Sequence, residues 1–368
     1  GSYNVAIGDE ALFTENANGK NIAIGYHALR ALDAGSDAFN IAIGHQAGKE
    51  ITTGINNILM GGSAGDAITT GSNNVAIGSG TLSADDAGGR NVAIGTNALA
   101  NQNGGTLNVY NIGIGYNAGA AITSAVQTTL IGGLAGDAIT TGEFNTVVGY
   151  NALSTATTAG RNVAMGWSSL RNLSGAGNRY NSALGFSTGE NITSGVQNTI
   201  VGGLAGTTIV DGDNLTVLGY NAEPSAANAT DEVTLGDSGV SALRCAVTTI
   251  TAISDERDKT NIEELPYGLD FVDSLKPKKF VWDHRPEIKK EVDAEGNETE
   301  VEFYSSRKGS KDIGFIAQEL DQIDDEYTRL VYKSNPDKLE ASYGRLIPIL
   351  VKAIQELSAE VKELKSKI

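Results

Sequence analysis

A five-residue word organises the first two thirds of the chain. It reads NVAIG at 4–8, 74–78 and 91–95 and NIAIG at 21–25 and 40–44, and it continues in looser form to EVTLG at 232–236. Positions two and four are mostly bulky and apolar, position three is often Ala, and position five is always Gly. Such alternation predicts a short strand with one bulky and one small face. Fourteen words close at glycines from Gly8 to Gly236, with a spacing of 17 residues ten times, 19 twice and 20 once. A strand this short cannot bury a face alone, whereas coils stacked in parallel cover one another. The period therefore predicts a parallel β-solenoid of about 14 coils. Thirteen steps of ~4.8 Å make a rod on the order of 60 Å. The bulky rows are expected to cover each other from coil to coil, and the small face to admit a neighbouring subunit. The recurring Asn is expected to form a hydrogen-bonded ladder.

A second period lies on the first. The long coils end at Gly44, Gly115 and Gly185, and their extra residues at 31–39, 101–110 and 172–180 each end in an aromatic: Phe39, Tyr110 and Tyr180. The tracts GSAGDAITTG (62–71), GLAGDAITTG (133–142) and GLAGTTIVDG (203–212) repeat at the same four-coil interval. The three loop aromatics, with Trp167, are candidate receptor-binding residues because such rings stack on sugars; the alternative is packing against the next coil or subunit.

The pattern changes after about residue 250. KKFVWDH (278–284) alternates like a strand, 291–303 reads as a hairpin turning at Glu295-Gly296-Asn297, and 312–320 runs from strand into helix. Ile347, Leu350, Ile354, Leu357, Val361, Leu364 and Ile368 form a heptad-like seam on a last helix. Lys and Arg number 8 and Asp and Glu 18 in 1–250, against 19 and 26 in 251–368. The expected organisation is a shaft over 1–240, a connector over 241–253, and a third domain over 254–368 with a coiled coil at 347–368.

Composition narrows the function classes. With 46 Gly and aromatics at 6%, the chain has too few large side chains for several ordinary cores and suits many tight turns. One cysteine, Cys245, excludes an intrachain disulfide framework, and with three scattered histidines no metal centre or other cofactor is expected. Cys245 itself, in the apolar run 243–250, reads as a small buried hydrophobe. A net charge of −17 argues against nucleic acid and anionic membranes as partners, and no run reaches the length of a membrane span. Further chain is expected upstream, since Gly1-Ser2 enters directly into a repeat. The acid pairs Asp85/Asp86 and Asp211/Asp213 invite a glycosidase reading, but nothing marks a cleft, so solvated turns are the better one.

The words over 1–240 resemble the head repeats of trimeric autotransporter adhesins of the YadA type, which implies a left-handed β-roll and three subunits about one axis. SDERDKTNIEEL (254–265), FVWD (280–283), GFIAQEL (314–320) and YGRLIPILVKAIQEL (343–357) resemble the intramolecular chaperone at the end of phage tail fibres and tailspikes, the endosialidase type of auto-processing peptidase. That resemblance implies a domain that trimerises, templates the preceding fibre and releases itself through a Ser-Lys dyad. The matching positions are Ser254 and Lys259, with cleavage between Ile253 and Ser254. Without it, Ser254 reads as a helix N-cap followed by acids. The expected protein is mainly β: a homotrimeric solenoid followed by an α+β chaperone, in a virion tail fibre or an extracellular surface fibre. Its expected partner is a cell-surface glycan or protein receptor, and its only chemistry one self-cleavage. The rivals are a non-binding spacer shaft and a polysaccharide-degrading spike.

Overall fold

The structure, a computed structural model, describes residues 2–15, 19–105, 108–246, 254–292, 298–303 and 307–368. The chain divides into two compact units, Gly1–Asp237 and Ser238–Ile368.

The first unit is a parallel β-solenoid. Fourteen strands of three residues, from Val5–Ile7 to Val233–Leu235, pair in chain order in one sheet. Each word stands on the same positions of the next, as Val5 on Ile22, Ala6 on Ala23 and Ile7 on Ile24. Two of the long loops pair with the coil before them, Gly177–Asn178 on Ala159–Gly160 and Asn108 on Gly89.

The faces are the reverse of the sequence expectation. Position three points into the coil: Ala23, Ala42, Ala76, Ala93 and Ala164 are fully buried, while positions two and four lie outward and partly exposed. The reason is volume. A 17-residue turn encloses little space, and a buried Leu from the turn, such as Leu29, Leu82, Leu99, Leu153 or Leu170, already fills most of it. Where the strand itself sends in Leu59, Leu130 or Ile200, the facing turn supplies glycine. A Cβ on Gly65 would lie 2.9 Å from Leu59 Cδ2, and one on Gly119 2.5 Å from Leu130 Cδ1. This exchange of large and small accounts for the tracts that recur every four coils, each following an inward Leu59, Leu130 or Ile200.

The invariant closing glycine also has a physical cause. From Gly8 to Gly202 its φ lies between 119° and 144°, and an added Cβ would stand 2.0–2.8 Å from the carbonyl oxygen of the next closing glycine. Beside it runs the Asn ladder, fully enclosed. Asn40, Asn57, Asn74 and Asn91 each donate a backbone N–H to Oδ1 of the Asn one coil earlier, at 2.9–3.0 Å. The Asn57 amide also donates to Gly71 O at 2.9 Å in the next coil. Each Asn thus satisfies backbone groups that a strand of three residues leaves over.

The second unit has three two-stranded antiparallel pairs: Lys278–Val281 with Lys311–Gly314, Glu287–Val292 with Glu298–Phe303, and Val331–Tyr332 with Glu340–Ala341. The turn predicted at Glu295–Asn297 lies outside the described residues. Among its described residues this unit also has three α-helices, α1 (Leu269–Ser274), α2 (Ala317–Leu320) and α3 (Leu346–Ser366). A small core forms from Leu320, Leu330, Val331, Leu346 and Ile349, with Phe271 and Phe315 against it. Helix α3 buries Leu346, Ile349 and Ala353, whereas Ile347, Leu350, Ile354, Leu357, Val361 and Leu364 stay exposed. Cys245 is exposed rather than buried, because residues 238–246 form no regular element and the nearby Leu243 is exposed as well.

Candidate functional site

Ser254 and Lys259 meet across a single turn of 3-10 helix, Glu256–Asp258. Its N-cap is Asp255 and not Ser254: Asp255 Oδ1 accepts from Arg257 N at 2.9 Å. The Arg257 guanidinium forks onto the same carboxylate at 2.9 and 2.6 Å and holds it below the usual carboxylate range. Lys259 leaves the turn in extended backbone, with its N–H on Glu256 O at 3.0 Å. Its side chain returns over the start of the turn, so that Nζ stands 2.6 Å from Ser254 Oγ and 3.1 Å from Ser254 O. Both residues are exposed in the single chain. Ile253 lies outside the described residues.

This arrangement places a lysine amine in hydrogen-bonding range of a serine hydroxyl, which is what a base that activates a nucleophile requires. The fork between Asp255 and Arg257 occupies the carboxylate next to Ser254 in the chain, while Lys259 and Ser254 face each other.

The candidate aromatics fall into two columns. Phe39, Tyr110 and Tyr180 each precede a ladder Asn, take a left-handed φ of 53–54°, and are about half exposed. One face of each is covered by the cation one coil earlier. Lys20 lies 5.0 Å from the Phe39 ring and Arg90 5.5 Å from Tyr110, with Arg90 NH1 also donating to the Tyr110 hydroxyl at 2.6 Å. Arg161 stands between Phe144 and Tyr180, at 4.9 and 5.8 Å. These cations are not among the residues the sequence pattern singles out, although each sits one coil before its ring in the same register. Trp167 belongs to the other column, the residue after the closing glycine, and stacks on Phe186 at 4.9 Å. The structure does not bring the four candidates together.

The acid pairs form no cleft. Asp85 is fully buried, accepting from Gly88 N and Gln102 Nε2 at 2.9 Å each, and burial pushes its carboxyl pKa up. Asp213 accepts from Val196 N at 2.8 Å as a bridge between coils. Among the described residues no cluster of His, Cys, Asp and Glu is built to hold a metal ion, and no helix is long and apolar enough to cross a membrane.

A β-solenoid followed by a separate α+β unit is the architecture, and the comparisons bear on the second part. Residues 254–331 match the family model described as chaperone of endosialidase, beginning at Ser254 itself. Comparison with curated proteins and with solved structures gives no match. A chaperone-of-endosialidase segment behind a solenoid fits a phage fibre-type protein.

Proposed function

We propose that this chain is part of a homotrimeric fibre for recognising a host surface, and that its C-terminal domain assembles three chains, templates the solenoid and then cuts itself free at Ile253–Ser254. The observation that carries the reading is the match that starts at Ser254, with Lys259 Nζ 2.6 Å from that serine's Oγ. Assembly gains support from two uncovered apolar rows, the outward strand positions of the solenoid and the seam on α3. A parallel repeat mispairs by whole coils at little cost, because every coil resembles its neighbours. A domain that first gathers three C-termini fixes the register before the coils stack.

The chemistry is an acyl shift followed by hydrolysis. Lys259, when neutral, takes the proton from Ser254 Oγ. The oxygen attacks the carbonyl carbon of Ile253, the Ile253–Ser254 amide breaks, and the serine nitrogen leaves as an amine with the proton returned to it. Water then cleaves the resulting ester and releases the solenoid's carboxylate. A lysine serves as base only without its proton, a form that burial or a neighbouring cation favours. Since Ser254 and Lys259 are exposed in the single chain, assembly is the step that supplies burial, and cutting is thereby tied to correct folding. Removal of the template would leave the fibre kinetically trapped.

Denaturing electrophoresis with intact-mass analysis tests this. Incubated native protein should give fragments meeting between Ile253 and Ser254, and Ser254→Ala or Lys259→Ala should abolish them. A persistent intact mass in assembled protein would overturn the cleavage reading.

The spacer-shaft alternative draws support from the cations over Phe39, Tyr110 and Tyr180, which occupy faces a sugar would need. Glycan-array binding by the assembled protein separates the two, since a spacer binds none.

A further inference from the structure

The apolar track on the outside of the solenoid does not run straight. None of the 28 outward strand positions, two and four in each of fourteen coils, carries a charge, in a chain that is 19% charged. Position four is Ile, Val, Leu or Met in every coil. Position two changes midway. From Val5 to Ile112 it is Val or Ile in all seven coils, and in coils 8–13 it becomes Thr129, Thr146, Ser182, Thr199 and Thr216, with only Val163 kept.

The column after the closing glycine changes in the opposite sense. Over coils 1–7 it holds two aromatic carbocycles, Tyr26 and Tyr116, the latter in the last of these coils, among Asp9, His45, Gly62, Ser79 and Thr96. Over coils 8–13 it holds Tyr150, Trp167, Phe186 and Tyr220. The two glycines in this stretch are roofed by rings: a Cβ on Gly133 would stand 3.4 Å from Tyr150 Cδ2, and one on Gly203 3.7 Å from Tyr220 Cδ2. Tyr150 is nonetheless 52% exposed and Tyr220 66%. An exposed aromatic strip thus opens on one side of position four where hydroxyls replace aliphatics on the other.

We propose that copies of this chain wind about one another, with the contact over positions two and four in coils 1–7 and over position four and the aromatic column in coils 8–13. The proposal rests on the trimer reading and deepens it. The occupant is a second copy because a track without charge, running the length of the unit, is matched by the same uncharged track on its neighbour. Exposed aliphatic side chains such as Val5, Ile7, Met60, Met165, Leu184 and Val201 recur along it, the kind of surface from which the ~800 Å² per partner of a standard stable interface is drawn. A straight contact would strip water from the hydroxyls of coils 8–13 in place of burying aliphatic surface, and would leave the rings in solvent. Following the apolar track moves the contact sideways by two residues over the shaft, round the bend at the closing glycine.

Thiol protection in the full chain tests it. In a Cys245→Ser background, which removes the exposed native thiol, Val75→Cys and Ser79→Cys probe coil 5, and Thr146→Cys and Tyr150→Cys probe coil 9. Oligomer mass is measured by light scattering, and maleimide labelling is timed before and after denaturation. The expected result is a trimer in which the Val75→Cys and Tyr150→Cys thiols label at least ten-fold more slowly than those of Ser79→Cys and Thr146→Cys. Val92→Cys and Phe186→Cys repeat the comparison if either protected variant fails to assemble. Protection of Thr146→Cys equal to that of Val75→Cys, in a trimer, would overturn winding and leave the trimer standing. A monomeric Cys245→Ser parent, with the thiols of all four variants freely labelled, would overturn the trimer itself.

Discussion

Removing one rung of the Asn ladder should cost more than its size suggests. Asn57 is fully enclosed; its Oδ1 accepts from Asn74 N at 3.0 Å, and its amide donates to Gly71 O at 2.9 Å and to Asn40 Oδ1 at 3.2 Å. Asn57→Ala leaves the Asn74 N–H and the Gly71 carbonyl buried without these partners, at roughly 1–3 kcal/mol each. The expected loss is about 3 kcal/mol per chain, or on the order of a hundred-fold in the folding equilibrium. Asn57→Leu separates hydrogen bonding from packing: the side chain refills the space and leaves both backbone groups unpaired, so it should destabilise as much as Ala. Guanidinium unfolding followed by circular dichroism gives the comparison from midpoint and slope. Ser124→Ala, at an exposed turn residue, serves as a control expected within about 0.5 kcal/mol of the parent. Asn57→Ala unfolding like Ser124→Ala, or Asn57→Leu restoring the parent's stability, would refute the reasoning.

Gly149→Ala should prevent correct stacking, since Gly149 has a φ of 141° and its Cβ would lie 2.3 Å from Gly166 O; soluble trimer in normal yield would contradict this. Burial raises the carboxyl pKa of Asp66, Asp85, Asp137 and Glu223. Their protonated forms are favoured by folding, so they add stability below the ordinary carboxylate range that is lost as pH rises through the raised values. Glu10, held low by Arg30, loses its contribution only at more acid pH. The solenoid should therefore melt at a higher temperature in mildly acid solution than at neutral pH, and a midpoint that is unchanged or lower on acidification would count against it. A chain ending at Ile253 should give aggregate where the full chain gives trimer, as read by light scattering. Leu357→Asp, on the exposed seam of α3, should lower the trimer fraction without altering the secondary structure of the second unit; unchanged trimer would remove α3 from the interface.

What the sequence determined by itself was whatever repeats. A word that returns every 17 residues fixes strand positions, parallel pairing and register, because only stacking in that register aligns Asn with Asn and Gly with Gly. The seam on α3 was legible for the same reason, since a helix writes its faces into its spacing. The Ser254 and Lys259 pairing could be named only through resemblance; that they meet depends on an N-cap at Asp255 and an extended exit at Lys259, which the spacing does not state. Direction was beyond the pattern as well. Period two says that residues alternate between faces, and it is silent on which face is inside. The tertiary structure decided that by volume, since a narrow coil has little room inside: Ala stands on the strand where the turn sends in Leu29, Leu82, Leu99 or Leu170, and Gly stands in the turn where the strand sends in Leu59, Leu130 or Ile200. The bulky rows were thereby turned outward, where a single chain leaves them partly exposed.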